Sequence, residues 1–162
     1  MEPKFTVRTK IRRPLAEVFD AVYNPTKIAG YFATGGVSGP LDVGKTVLWT
    51  FNDNPANPVT VPVKVQGMTR NQSIRFQWSA SEGEYNPKTG EYPHPAGYDN
   101  TVEITFEALG PSETLVTIVE GTWRATPEGL KASYGNCQGW TAMSCFLKAY
   151  LEHGINLRLG AY

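Results

Sequence analysis

The sequence predicts an α+β fold: a strand, two short helices, about six further antiparallel strands and one long C-terminal helix. Three observations predict it. Period-two alternation recurs through the middle of the chain, most clearly in TVEITFEA, where Val102, Ile104 and Phe106 oppose Thr101, Glu103, Thr105 and Glu107. From Lys131 to about Gly154 the period becomes helical, with Trp140, Met143, Leu147, Tyr150 and Leu151 recurring at three- and four-residue intervals. A sheet that is apolar on one side must be covered, and this helix is the only element long enough to do it.

The elements follow in order. KFTVRTKI alternates as a strand, with Phe5, Val7, Thr9 and Ile11 on one face. Pro14 opens a short helix whose Leu15, Val18, Phe19 and Val22 form an apolar stripe. Asn24-Pro25 ends it and caps a second short helix running to about Phe32. GGVSGPLDVG is turn-rich and predicts a short strand. KTVLWTF then places Val47, Trp49 and Phe51 on one face, and VTVPVKV places Val59, Val61, Val63 and Val65 on one face. Pro62 removes a ladder donor and predicts an edge or a bulge. SIRFQW aligns Ile74, Phe76 and Trp78, and TLVTIVEG pairs with TVEITFEA across the turn LGPSE. Residues 82–100 are long for a bare connection. Within them EYNPKTGEY reads as a hairpin, with Gly90 in the left-handed position and Tyr85 opposite Tyr92, while PHPAGY after it reads as irregular.

At 162 residues, without repeat or linker, the chain fits one domain over 1–162. Fifteen basic and fifteen acidic side chains balance to zero, which argues against nucleic-acid or anionic-membrane partners, since both need a basic excess. No apolar run approaches the roughly 18 residues needed to span a bilayer. MEPKFTVRTKIRRP lacks an apolar signal core, so the expected location is the cytoplasm, where the two cysteines stay reduced.

Specific segments carry a resemblance. RPLAEVFDAVYNPTKIAGYF, and VTIVEGTW followed by GNCQGWTAMSCFLKAYLEHG, resemble the opening and closing signatures of the family named for the activator of the heat-shock protein 90 ATPase. That family lies within the START, polyketide-cyclase and birch-allergen-like (SRPBCC) superfamily. The resemblance covers nearly the whole chain and implies a helix-grip fold, a curved sheet wrapped around the C-terminal helix with space between them. The segment 82–100 looks like an insertion relative to most members.

The ionisable and nucleophilic residues predict little chemistry. Cys137 and Cys145 lie about 12 Å apart along a helix, beyond the roughly 4.4–6.8 Å of a disulfide. Both are expected to be small packing residues. His94 sits in a loop and His153 near a helix end, where the dipole favours it and Gly154 terminates the helix; no metal set or catalytic pair forms with either, and no cofactor is expected. Lys10, Arg12 and Arg13 read as solvated surface, and Lys148 and Glu152 fall outside the apolar stripe. Glu120 differs. Alternation with Val116 and Ile118 points it at the apolar face. It is either a buried acid or ligand anchor at a cavity mouth, or a rim residue paired with Arg124 or hydrated, the second being preferred.

Four tryptophans, eight tyrosines and seven phenylalanines need a large interior or a binding surface. Trp49, Phe51, Phe76 and Trp78 project from the sheet, Trp140, Met143 and Leu147 from the helix, and Tyr31 and Phe32 close one end; Tyr150, Glu120 and Asn136 are candidate polar handles. A packed interior accounts for such stripes as well as a ligand box does; the implied fold favours the box. The expected function is binding of an apolar or aromatic small molecule, with 82–100 as a lid, by a monomer or homodimer. The alternatives are a co-chaperone-like ATPase activator with a chaperone partner, and a cyclase- or hydratase-type enzyme using Glu120 or His94.

Overall fold

The alternation of KFTVRTKI becomes β1 (Phe5–Ile11), with Val7 and Ile11 buried and Arg8 and Lys10 in water. The computed structural model describes residues 1–162 and continues with α1 (Leu15–Tyr23), α2 (Pro25–Ile28), β2 (Gly36–Val37), β3 (Thr46–Phe51), β4 (Val59–Thr69), β5 (Ser73–Glu82), β6 (His94–Gly110), β7 (Glu113–Gly121) and α3 (Pro127–His153). The strands form one antiparallel sheet in the order β1-β7-β6-β5-β4-β3-β2. The chain therefore meanders from β2 to β7, and β1 pairs beside β7. With α3 packed against it, this is the predicted α+β helix-grip architecture.

Twenty-seven buried apolar residues form the main core, with Trp49 and Phe76 from the sheet, Trp140, Met143 and Leu147 from α3, and Phe19 and Val22 from α1. In α1 the predicted stripe buries Val18, Phe19 and Val22. Asn24 caps α2 by accepting the Thr26 N–H at 3.0 Å, and Pro25 follows it at the first helical position.

Three readings differ from expectation. The second short helix ends at Ile28, not about Phe32, because the chain tightens into a turn there, the Gly30 N–H donating to the Lys27 carbonyl at 2.9 Å. The C-terminal helix begins at Pro127, four residues before Lys131, because Thr126 accepts the Gly129 N–H at 3.1 Å and Pro127 needs no donor. Only glycine fits at 129, where a Cβ would stand 2.3 Å from the Arg124 carbonyl oxygen. The stretch PHPAGY is strand, not irregular: His94 pairs with Glu82 and Pro95 with Ser81. Proline is tolerated there because β7 joins β6 only from Thr101, leaving residues 94–100 bonded on one side. Pro62 meets the same condition, since β5 pairs with β4 only from Lys64. Gly154, with φ of 67°, ends α3 as its sequence predicted.

The two cysteines are free. Cys137 packs partly against the core, but Cys145 is exposed on the outer side of α3, so the packing expectation fails for it. Glu152, outside the apolar stripe of α3, is nonetheless buried by its partners. Its side chain is only 3% exposed and receives Arg12 Nε at 2.6 Å and Lys148 Nζ at 2.5 Å, which ties the end of β1 to the end of α3.

Burial pushes the Glu152 carboxyl up, but the bonds from Lys148 and Arg12 outweigh it and hold the group down at about 2. A carboxylate depressed in the folded state contributes stability above its unfolded value, and that contribution disappears as pH falls through the folded one. The wild type is therefore expected to lose stability between about pH 4.5 and pH 2. Melting curves across this range should show a shallower acid decline for Glu152→Gln.

Candidate ligand-binding site

The alternation of β7 buries Val116, Ile118 and Glu120 in succession, and Glu120 has no exposed surface. It sits between Phe5 of β1 and Val102 of β6 in register. Its Oε1 accepts from Trp78 Nε1 at 2.8 Å, Asn136 Nδ2 at 3.1 Å and Asn100 Nδ2 at 3.2 Å. Its Oε2 accepts from Trp140 Nε1 at 2.8 Å and Asn136 Nδ2 at 3.2 Å. The rim reading is thereby overturned. Arg124 lies instead over the Tyr98 ring, 4.5 Å from its centre.

No cation touches this carboxylate. Burial raises its pKa, and the N–H bonds from Trp78, Trp140, Asn136 and Asn100 pull the other way without overcoming burial. The group is an acid satisfied wholly by neutral donors.

Around it the indoles from sheet and helix meet. Trp78 and Trp140 lie 5.3 Å apart at 30°, and Trp49 meets Trp78 edge to face at 6.0 Å. Trp49, Phe76, Met143 and Leu147 stand in the packed core. Tyr31 is buried, donates to the Ala21 carbonyl at 3.0 Å and stacks on Tyr150. Tyr150 lies ten residues beyond Trp140, about 15 Å along α3. The open space is beside this core. A cleft of about 790 Å³ lies between the first half of α3, the hairpin 83–93 and the segment after Gly154. Of the expected site residues, Phe32, Phe51, Trp78 and Trp140 line it, as does the expected handle Asn136; Glu120 lies behind three of its wall residues.

The hairpin forms as its sequence predicts. Asn86 bridges to Glu91, Gly90 has φ of 71°, and the Tyr85 and Tyr92 rings lie 5.1 Å apart. It is held at both ends. Glu84 pairs with Lys131 of α3, and the Tyr92 hydroxyl donates to Asp53 in the β3–β4 loop. Asp53 also receives Arg158 Nε at 2.8 Å and Nη2 at 2.7 Å. Burial pushes Asp53 up, but the bonds from Arg158 and Tyr92 win and lower it. The Arg158 guanidinium covers the Phe51 ring at 4.9 Å and the Tyr162 ring at 4.7 Å.

Arg158, Asp53 and Tyr162 were missed by sequence reasoning, and GINLRLGAY carries no periodic signal that would have found them. Gly135 and Gly139 also line the cleft, and a Cβ built on either meets no atom within 4 Å. No group of three His, Cys, Asp or Glu side chains could hold a metal ion. The arrangement offers aromatic faces and a few polar groups. It suits binding.

The architecture is that of the helix-grip proteins, and comparison places it within them. The family described as "Activator of Hsp90 ATPase homolog 1-like protein" matches residues 12–152, and the chain belongs to it. A protein of Staphylococcus saprophyticus is similar at 24% identity and a TM-score of 0.72, with 97% of each chain covered. The Aha1 dimer of Colwellia psychrerythraea is similar at 19% identity and a TM-score of 0.68, over 94% of this chain and 98% of that one. DynU16, from the dynemicin biosynthetic locus, is similar at 21% identity and a TM-score of 0.70, over 94% of this chain and 48% of that one. These likenesses describe the fold. No curated protein matches the sequence significantly. No helix is long and apolar enough to cross a membrane.

Glu120→Ala would strand the Trp140 N–H and the Asn100 amide in the core, at roughly 1–3 kcal/mol each. A loss of about 2–5 kcal/mol in denaturant unfolding is expected. Glu120→Gln would set an amide donor against an indole N–H and should also lower the melting temperature measurably. An unchanged melting temperature would instead favour a catalytic carboxyl over a structural one.

Proposed function

We propose that the protein binds an apolar, aromatic small molecule in the cleft bounded by α3, the hairpin 83–93 and the segment after Gly154, with the whole of 1–162 acting as one domain. The observation that carries this reading is the pair Gly135 and Gly139. Glycine inside a helix costs about 1 kcal/mol relative to alanine. Neither position needs glycine for clearance, since an added Cβ meets open space at both. What their missing side chains keep is room in the cleft, directly beside Asn136 and Trp140.

The walls support the same reading. Trp78 presents a half-buried ring, Trp140 and Phe51 reach the wall only at their edges, Val59 and Val61 present the half-buried end of β4, and Tyr85 and Tyr92 present the hairpin. Such mostly apolar sites of roughly 300–1,000 Å³ with a few polar groups are the common form of small-molecule pocket. The hairpin serves as a lid, pinned at Tyr92 by buried Asp53 and Arg158 and at Glu84 by an exposed pair. Two unpaired cysteines support a reducing cytoplasm as the location. Chaperone-ATPase activation and cyclase or hydratase chemistry draw on the family description and not on a feature of this cleft.

Gly139→Leu separates stability from binding. The substitution should raise the melting temperature by about 2–4 °C through helix propensity. It should weaken binding of flat aromatic probes at least about tenfold, read by quenching of Trp78 and Trp140 fluorescence. Unaltered probe affinity in a folded variant would end the proposal.

A further inference from the structure

We propose that the cleft selects aromatic ligands bearing a hydrogen-bond donor, a phenolic hydroxyl or a ring N–H, which Asn136 Oδ1 accepts. This names the ligand class for the cleft and rests on the binding reading above.

The inference follows from what Glu120 consumes. A carboxylate only accepts. Three side chains lining the cleft turn their N–H groups back toward it: Trp78, Asn136 and Trp140. An indole has a single N–H and no acceptor. Once that N–H is spent, both tryptophans offer the cleft only aromatic surface. Asn136 has two ends. Its Nδ2 lies 3.1 and 3.2 Å from the two carboxylate oxygens, so a flipped amide would set Oδ1 against them, acceptor facing acceptor. The amide is therefore fixed with Oδ1 at the far end. No protein N–H or O–H donates to that atom, and the side chain is half-buried at the wall of the cleft.

The remaining polar groups do not compete for this role. Arg158 is committed to Asp53, Lys131 to Glu84, and the Tyr92 hydroxyl lies between Asp53 and Arg158. Each cation carries its own carboxylate, so the pair charges cancel and leave no net positive charge to draw an anionic ligand. Ser79, Ser81, Gln138 and the hydroxyls of Tyr85, Tyr134 and Tyr162 line the cleft without a fixed partner, so they turn to suit donor or acceptor alike. The one polar atom of set orientation is an acceptor, four residues before Trp140 and on the same helix face. A flat ring laid against half-buried Trp78 with a hydroxyl at its edge satisfies it. An ether, ketone or carboxylate at the same place leaves it unsatisfied. Glu120 is then a positioning residue: it sets the polarity of the wall without touching the ligand.

The test compares 2-naphthol with 2-methoxynaphthalene at neutral pH, titrated against tryptophan fluorescence in wild type and in Asn136→Leu. The two probes differ in hydrophobicity, so the measured quantity is the ratio of their affinities and how it changes between proteins. The wild-type ratio should favour 2-naphthol by about 3- to 10-fold more than the Asn136→Leu ratio does, while 2-methoxynaphthalene binds Asn136→Leu at least as tightly as the wild type. Equal ratios in two folded proteins that bind both probes would overturn the donor selection and leave the cleft reading standing. Failure of both probes to bind the wild type would overturn the cleft reading and this inference together. Asn136→Ala, which suits a helix well, gives the same ratio test if leucine disturbs the fold.

Discussion

The arrangement of this molecule depends on one buried carboxylate. Glu120 accepts hydrogen bonds from β5 through Trp78, from β6 through Asn100, and from α3 through Asn136 and Trp140. Three elements thus converge on two oxygen atoms borne by a fourth, β7. A charge in the core is costly unless its lone pairs are filled, and hydrogen bonds to a charged acceptor are stronger than neutral ones. The helix can satisfy both oxygens only at one height and one rotation over the sheet, because Asn136 and Trp140 are a turn apart on a rigid rod. Apolar packing brings α3 onto the sheet; the carboxylate specifies where it stops. Both carboxylate oxygens are satisfied, although the Asn100 Oδ1 beside them is buried without a partner; a polar network of this kind inside a core specifies one arrangement.

The same convergence divides the aromatic residues into two populations. The sequence stripes leave open whether the aromatics are core or ligand wall, and the structure answers with both. Trp49, Phe76 and Trp140 are almost wholly enclosed, whereas half-buried Trp78 has its polar edge turned to Glu120 and its ring bordering the cleft. A side chain held on one side by a strong hydrogen bond is a rigid wall on the other. Helix stability forgone at Gly135 and Gly139 is offset at the two ends of α3, by the Thr126 cap and by the Glu152 clamp to Arg12.

How far the fold was legible follows from which signals are local. Most strands and the long helix show in the period of their own residues, the exceptions being two-residue β2 and the first residues of β6, and β7 alternation alone turned Glu120 inward. Alternation gives direction and not depth, however. Whether Glu120 would meet water depended on β1 and β6 flanking it and on α3 crossing above, contacts between residues far apart in sequence. Arg124, four positions away, looked like its partner only because it was near in the chain. The cleft was expected between Trp78 and Trp140, but those rings touch, and the space lies to one side, where Arg158 and Tyr162 return after α3. PHPAGY looked irregular because its prolines cannot donate, and it is strand because only one neighbour asks it to.

The two fastenings of the hairpin differ in kind, and the difference bears on how the cleft admits a molecule. Lys131 and Glu84 are 66% and 72% exposed, so their pair is screened by water and contributes little, about 0–1 kcal/mol. Arg158 and Asp53 are 5% and 4% exposed, and their bidentate bond is shared with the Tyr92 hydroxyl under a roof of aromatic rings. Breaking a pair of that kind leaves an uncompensated charge, at about 3–5 kcal/mol. For the proposed lid, the fastening that would yield first is the one at Glu84, over Trp78 and Asn136, with Tyr92 as the hinge. Opening on that side would bare Trp78 and the Asn136 acceptor together, while the core behind them would keep its bonds to Glu120.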